Sequence, residues 1–94
     1  MNTIVDIYDT VSNTWRTASL SKGRYGLAAT SLPDLGVAIF AGGKTETTVN
    51  NEIDIFNSNT DKWTTAVLSA ARFFLAATSL PKSGMAFIGG GMGA

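Results

Sequence analysis

The sequence predicts an all-β fold, and three observations predict it. Slid along itself, the chain matches at an offset of 48 residues without a gap. Each copy divides into four short apolar segments separated by turn-forming residues. No segment sustains a helical period.

Residues 5–46 lie over residues 53–94, and 19 of those 42 positions are identical. The longest shared run is Leu27-Ala28-Ala29-Thr30-Ser31-Leu32-Pro33 against Leu75-Ala76-Ala77-Thr78-Ser79-Leu80-Pro81. Asp6 recurs as Asp54, Trp15 as Trp63, Arg24 as Arg72 and Gly36 as Gly84. The shared residues are varied in type, which separates a structural repeat from low-complexity similarity.

In chain order, Ile4–Tyr8 and Trp15–Ala18 read as two strands around a polar turn. Leu27–Leu32 is the next strand. Pro33-Asp34-Leu35-Gly36 is a turn in which proline presets φ and glycine admits a positive φ. Val37–Ala41 follows and is apolar on both faces, the mark of a sandwiched strand. Gly42-Gly43 ends it, and Lys44–Asn51 is a polar loop. Glu52–Phe56 and Trp63–Val67 are strands around Asn57–Lys62, whose Asn, Ser, Thr and Asp side chains mimic backbone turns. Leu75–Leu80 and Met85–Gly89 are the last two. Ser69–Ala77 has some helical propensity. Its counterpart Ser21–Ala29 carries Gly23, Tyr25 and Gly26 and does not, so the segment is read as a connection.

Four short strands per repeat at this period is the signature of a β-propeller blade. The residues here resemble the Kelch family, whose blade has a double glycine after its second strand, then a Tyr and a Trp with six residues between them. Gly42-Gly43 and Gly90-Gly91 match the doublet, and Tyr8 with Trp15 matches the aromatic pair. In the other copy the pair is Phe56 with Trp63, which loses the hydroxyl and keeps the ring. Arg24 and Arg72 resemble the family's frequent arginine ahead of the first strand. The resemblance covers nearly the whole chain. It implies that the aromatic pairs pack between blades and that the glycines serve backbone conformations or close approaches closed to other residues.

The phase of the repeat predicts a propeller fragment of two blades' worth of antiparallel sheet. Residues 1–20 form a half blade (third and fourth strands), 21–68 a complete blade, and 69–94 a half blade (first and second strands). Met1 falls at the phase of Val49 and Ala94 at that of Glu46, so both ends lie in the polar loop between second and third strands. The expected completion is head-to-tail oligomerisation, one C-terminal half blade joining the next N-terminal half blade. Closed propellers have roughly four to eight blades, so a dimer, trimer or tetramer of this chain is the relevant range. The resemblance implies six or seven blades, and seven is not a multiple of two, so a homotrimer is favoured. The competing expectation is a piece of a longer propeller.

Composition excludes some functions. Lys and Arg total 7, Asp and Glu total 7, and the net charge is zero, which argues against a nucleic-acid footprint or an anionic membrane surface. There is no Cys and no His, so no thiolate or imidazole site for a metal and no His general base. No cofactor is expected and no catalytic residue stands out. The Gly42-Gly43 doublet lacks the Lys-Ser/Thr partner and the following helix of a phosphate cradle.

Asp6 and Asp54 lie inside apolar strands, where a carboxylate needs a partner. Arg24 and Arg72 can supply it, one per repeat. Alternatively these arginines line a channel mouth and grip carboxylates. The loops before the first strand and after the second are expected on one rim. That rim would present Arg24, Tyr25, Lys44, Asn50, Asn51, Arg72 and Phe73, with a composite loop of Met92-Gly93-Ala94 and Met1-Asn2-Thr3. By resemblance, the expected role is a non-enzymatic binding or scaffold module that presents this rim to a peptide segment of another protein. A carbohydrate-binding or carbohydrate-active propeller is an alternative, with arginines and Tyr25 on an acidic sugar. The copper oxidases built on such repeats are excluded by the lack of His. A third reading is a minimal or engineered fragment with no evolved ligand.

Overall fold

The computed structural model describes residues 2–93, and among them it has eight strands in three antiparallel sheets. The first sheet is the hairpin of β1 (Ile4–Asp9) and β2 (Thr14–Ser19). The second is a four-stranded meander of β3 (Ala28–Leu32), β4 (Val37–Ala41), β5 (Glu52–Asn57) and β6 (Lys62–Val67). The third is the hairpin of β7 (Ala76–Leu80) and β8 (Met85–Gly89). The all-β expectation and the strand positions therefore hold. Ser69–Ala77 forms no helix; its last two residues open β7.

Strand ends differ from the sequence reading by one residue at several places, for a local reason. The β1–β2 ladder extends to Asp9↔Thr14 and the β5–β6 ladder to Asn57↔Lys62. In both turns the second residue beyond the strand end donates its amide back to the side-chain oxygen of the strand's last residue. Asp9 Oδ1 accepts from the Val11 amide at 2.9 Å, and Asn57 Oδ1 accepts from the Asn59 amide at 2.9 Å. Asn13 and Asp61 close the two turns at φ 55° and 56°. Asn and Asp tolerate that left-handed conformation better than other side chains.

Pro33–Leu35 and Pro81–Ser83 are single 3₁₀ turns, each closed by a left-handed glycine, Gly36 or Gly84. Gly36 is required twice over. Its φ is 69°, and a Cβ there would lie 2.6 Å from Ser58 Oγ. Its carbonyl accepts both the Ser58 amide and the Ser58 hydroxyl at 2.8 Å, tying the β3–β4 turn to the β5–β6 turn.

The best-buried apolar cluster is Ala28, Ala41, Leu68 and Leu75, with Ile53, Ala77 and Ile88 against it. It lies where β3 packs on β7, so it joins the second sheet to the third. Small residues on β3 and β7 allow the two sheets to approach, and the leucines fill what remains. Each buried leucine contributes roughly 1.5–3 kcal/mol. The first sheet is held differently. An exposed ion pair, Arg16–Asp61 at 2.9 Å, crosses to the β5–β6 turn, and Arg16 also lies over the Phe56 ring. Between these sheets runs a groove of about 280 Å³, walled by Val5–Tyr8 on one side and Ala38, Phe40, Phe56 and Trp63 on the other.

Candidate interaction rim

The loop before β3 and the loop after β4 are adjacent. Tyr25 and Lys44 exchange backbone hydrogen bonds, Tyr25 N to Lys44 O at 3.0 Å and Lys44 N to Tyr25 O at 2.8 Å. The next repeat does the same with Phe73 and Met92, at 2.9 and 2.8 Å. The glycine doublets permit this. Gly43 has φ 93°, and a Cβ on it would meet Tyr25 O at 2.7 Å; Gly91 stands in the same relation to Phe73 O at 2.6 Å.

Neighbouring repeats then interlock along this rim. Gly43 N donates to Arg72 O at 2.9 Å, Arg72 N to Asn50 O at 3.3 Å, and Phe74 N to Gly26 O at 2.7 Å. Lys44 Nζ sits 4.7 Å from the centre of the Phe73 ring and 5.9 Å from that of Tyr25. An ammonium at these distances is attracted by the ring faces. Tyr25, Lys44 and Phe73 therefore form one contiguous surface feature. Arg24 and Asn50 lie beneath it. Phe74 is 63% exposed and holds φ 54°, the conformation that Gly26 adopts at φ 66° in the previous repeat.

Arg24 faces inward. Its Nη2 donates to Asp54 Oδ2 at 3.0 Å and to the Phe40 carbonyl at 3.3 Å, and the two side chains are 0% and 3% exposed. Of the two roles open to Arg24 from sequence, the ion pair with Asp54 is present. Ser21 completes the carboxylate's shell through its amide, 3.1 Å from Oδ2. Beside it, Glu52 accepts the Ser21 hydroxyl at 2.7 Å and pairs with Lys22 at 2.8 Å. The Lys22 ammonium and then the Ser21 hydroxyl hold the Glu52 carboxyl below the usual carboxylate range.

Asn50 is buried and shapes the loop. Its Oδ1 accepts from the Glu52 backbone amide at 2.8 Å, and its own backbone N–H donates to Gly43 O at 2.8 Å. Asn51 is exposed and uses its carbonyl on Leu68 N at 2.7 Å. Four buried donors, Arg24 Nε and Nη1, Asn50 Nδ2 and Arg72 Nε, have no acceptor among the described residues. Of the composite loop expected at this rim, Met1 and Ala94 lie outside the described residues.

The aromatic pairs lie away from the rim, on β5–β6 and β1–β2. Phe56 and Trp63 stack across β5–β6 with centroids 5.1 Å apart, and Phe40 adds a third ring 6.0 Å from Trp63. Tyr8 and Trp15 stack at 5.0 Å in the equivalent place, and the Tyr8 hydroxyl donates to Asn13 Oδ1. Trp63 is half-buried in the groove facing β1, whereas Trp15 is 70% exposed. Sequence reasoning did not find the Lys44–Phe73 contact or the Lys22–Glu52–Ser21 cluster. The first joins residues of different repeats, and the second occurs in only one copy, so neither leaves a repeated signal. No family model matches the sequence, and no curated protein matches it.

Proposed function

We propose that the chain is a non-enzymatic, self-assembling β-propeller module of the Kelch type, an interaction or scaffold protein. It closes as a head-to-tail ring of identical chains, with the trimer, a six-bladed ring, as the favoured closure. One observation carries this reading: a complete four-stranded sheet is flanked by two hairpins that are its two halves. β1–β2 repeats β5–β6, and β7–β8 repeats β3–β4, at the same 48-residue offset. Each hairpin leaves an edge of unpaired backbone groups that a complementary strand satisfies. The surface feature of Tyr25, Lys44 and Phe73, with an aromatic ring and an ammonium side by side, suits an extended peptide segment that brings apolar and acceptor groups.

The test is the solution mass by light scattering on a sizing column, at two protein concentrations. A discrete mass of three chains that survives dilution supports the six-bladed ring. A monomer, or a concentration-dependent smear of open oligomers, overturns the closed assembly.

A further inference from the structure

We propose that the open edge of β8 is completed by β1 of a second copy, and that Asp6 of that copy enters the site of Arg72. The inference rests on the self-assembly reading and specifies its junction.

The complete sheet supplies the template. Within it β4 and β5 pair as Val37↔Asn57, Ala38↔Phe56, Ile39↔Ile55, Phe40↔Asp54 and Ala41↔Ile53. β8 is the repeat of β4, and β1 is the repeat of β5. Carried over by 48 residues, the register sets Met85 against Asp9, Ala86 against Tyr8, Phe87 against Ile7, Ile88 against Asp6 and Gly89 against Val5. Both partners already hold the required shape. Tyr8↔Trp15 repeats Phe56↔Trp63, and Ser79↔Ala86 repeats Ser31↔Ala38. The flanking bonds repeat too. Leu20 N to Thr3 O at 2.8 Å mirrors Leu68 N to Asn51 O at 2.7 Å, and Ile4 N to Asn2 Oδ1 at 2.9 Å mirrors Glu52 N to Asn50 Oδ1 at 2.8 Å.

Charge points the same way. In the complete blade Arg24 and Ser21 surround Asp54. Arg72 and Ser69 repeat the donors, yet Arg72 has no ion pair among the described residues. Asp6 repeats the acceptor and is exposed, also without an ion pair or hydrogen bond from its side chain there. Among the described residues Asp6 and Arg72 thus each lack the partner that their counterparts Asp54 and Arg24 have. The neighbouring positions change together: the Lys22–Glu52 ion pair becomes Ala70 and Ile4, an apolar match across the same junction. Ile4 is 59%, Met85 47% and Phe87 48% exposed, so both edges present apolar side chains for burial.

The experiment compares the wild-type chain with Asp6→Arg, Arg72→Asp and the double swap, by light scattering over a dilution series, with circular dichroism to check folding. Each single variant sets like charges together in a desolvated site, so the concentration for half-assembly should rise roughly a hundredfold. The double swap restores the pair and should return within roughly tenfold of wild type. If Arg72→Asp fails to fold, Asp6→Arg decides, since Asp6 is exposed in the single chain. Assembly lost with the sheet signal retained supports the junction, and assembly unchanged overturns it. If the wild type assembles and the single variants assemble equally well, the Asp6–Arg72 junction is wrong while self-assembly stands. If the singles weaken assembly and the double swap gives no recovery, the direct contact is wrong. A wild type that is monomeric at every concentration overturns both.

Discussion

Arg24 and Asp54 are joined by a buried ion pair at 3.0 Å that clamps the loop before β3 to the third strand of the same sheet. The pair reaches past β3 and β4, so it fixes the rim to the β5–β6 half of the four-stranded sheet. Removing one member leaves a desolvated charge behind. Asp54→Ala should therefore destabilise the fold by about 3–5 kcal/mol, enough to unfold a domain of this size at ambient temperature. Asp6→Ala should leave the unassembled chain nearly unchanged, because Asp6 is exposed. Urea denaturation of both variants at a concentration that keeps the chains apart checks the contrast. Equal losses would show that the carboxylates have the same role in the lone chain.

Gly42 and Gly90 occupy the same repeat position, with φ 71° and 74°, in different surroundings. A Cβ on Gly42 would meet Leu75 Cδ2 at 2.6 Å and Arg72 O at 2.7 Å, whereas one on Gly90 meets nothing within 4 Å. Both alanine variants carry a left-handed strain of about 1–2 kcal/mol. Gly42→Ala adds a clash with backbone that cannot yield, so it should cost at least about 1 kcal/mol more in the thermal unfolding of the single chain. In the proposed ring Gly90 would face a second copy's counterpart of that wall. Gly90→Ala should then be mild in the monomer and severe for assembly. If Gly90→Ala assembles as the wild type does, the β8 edge is not where copies meet.

Most of the fold was legible in the sequence because the repeat declares itself twice. The run Ala28–Leu32 and its copy Ala76–Leu80 gave the two strands, and Pro33 with Gly36 gave the turn, down to the glycine that must take a positive φ. The Arg24–Asp54 contact was legible because arginine and aspartate recur in phase. What was not legible lies between repeats or in one copy only. Lys44 reaches Phe73 across a loop whose path the sequence does not specify, and its counterpart Met92 carries no charge to mark the place. Trp15 and Trp63 are identical in sequence and differ in exposure, because burial depends on which sheet lies alongside.

Glu52 gives the rim a defined acid response. Its carboxyl is held below the ordinary value of 4.5 by Lys22 and then Ser21. A depressed folded pKa means that the unfolded chain binds the proton more tightly. The stabilisation is therefore fully present above pH 4.5 and is lost as pH falls through the lower folded value. The site is partly open to solvent, so the effect is small and weakens with salt. Glu52→Gln should lower the melting temperature slightly above pH 4.5 and converge on wild type at lower pH, which flattens this part of the slope. An unchanged slope would assign the acid response to other carboxylates.

Ile4 and Ala70 test the matched substitution at the proposed junction. They take the places that Glu52 and Lys22 hold in the repeat, where those side chains pair at 2.8 Å. Ile4→Glu loses apolar contact in the assembly and sets a carboxylate beside a methyl group, so it should weaken assembly by about 1 kcal/mol. Adding Ala70→Lys rebuilds the ion pair in its native setting and should recover about 0.5 kcal/mol, the scale of a half-exposed pair. Recovery should fade at high salt, since exposed charges are screened. The variants leave Asp6 and Arg72 intact, so they report on the register of the two strands and not on the buried pair. A lysine placed at exposed Ser83, in the turn between β7 and β8, instead of at Ala70 controls for net charge. If Ser83→Lys rescues Ile4→Glu as well as Ala70→Lys does, then long-range attraction drives the recovery and the strand register is wrong. If only Ala70→Lys rescues it, β1 of one copy lies beside β8 of the next in the register that β4 and β5 already show.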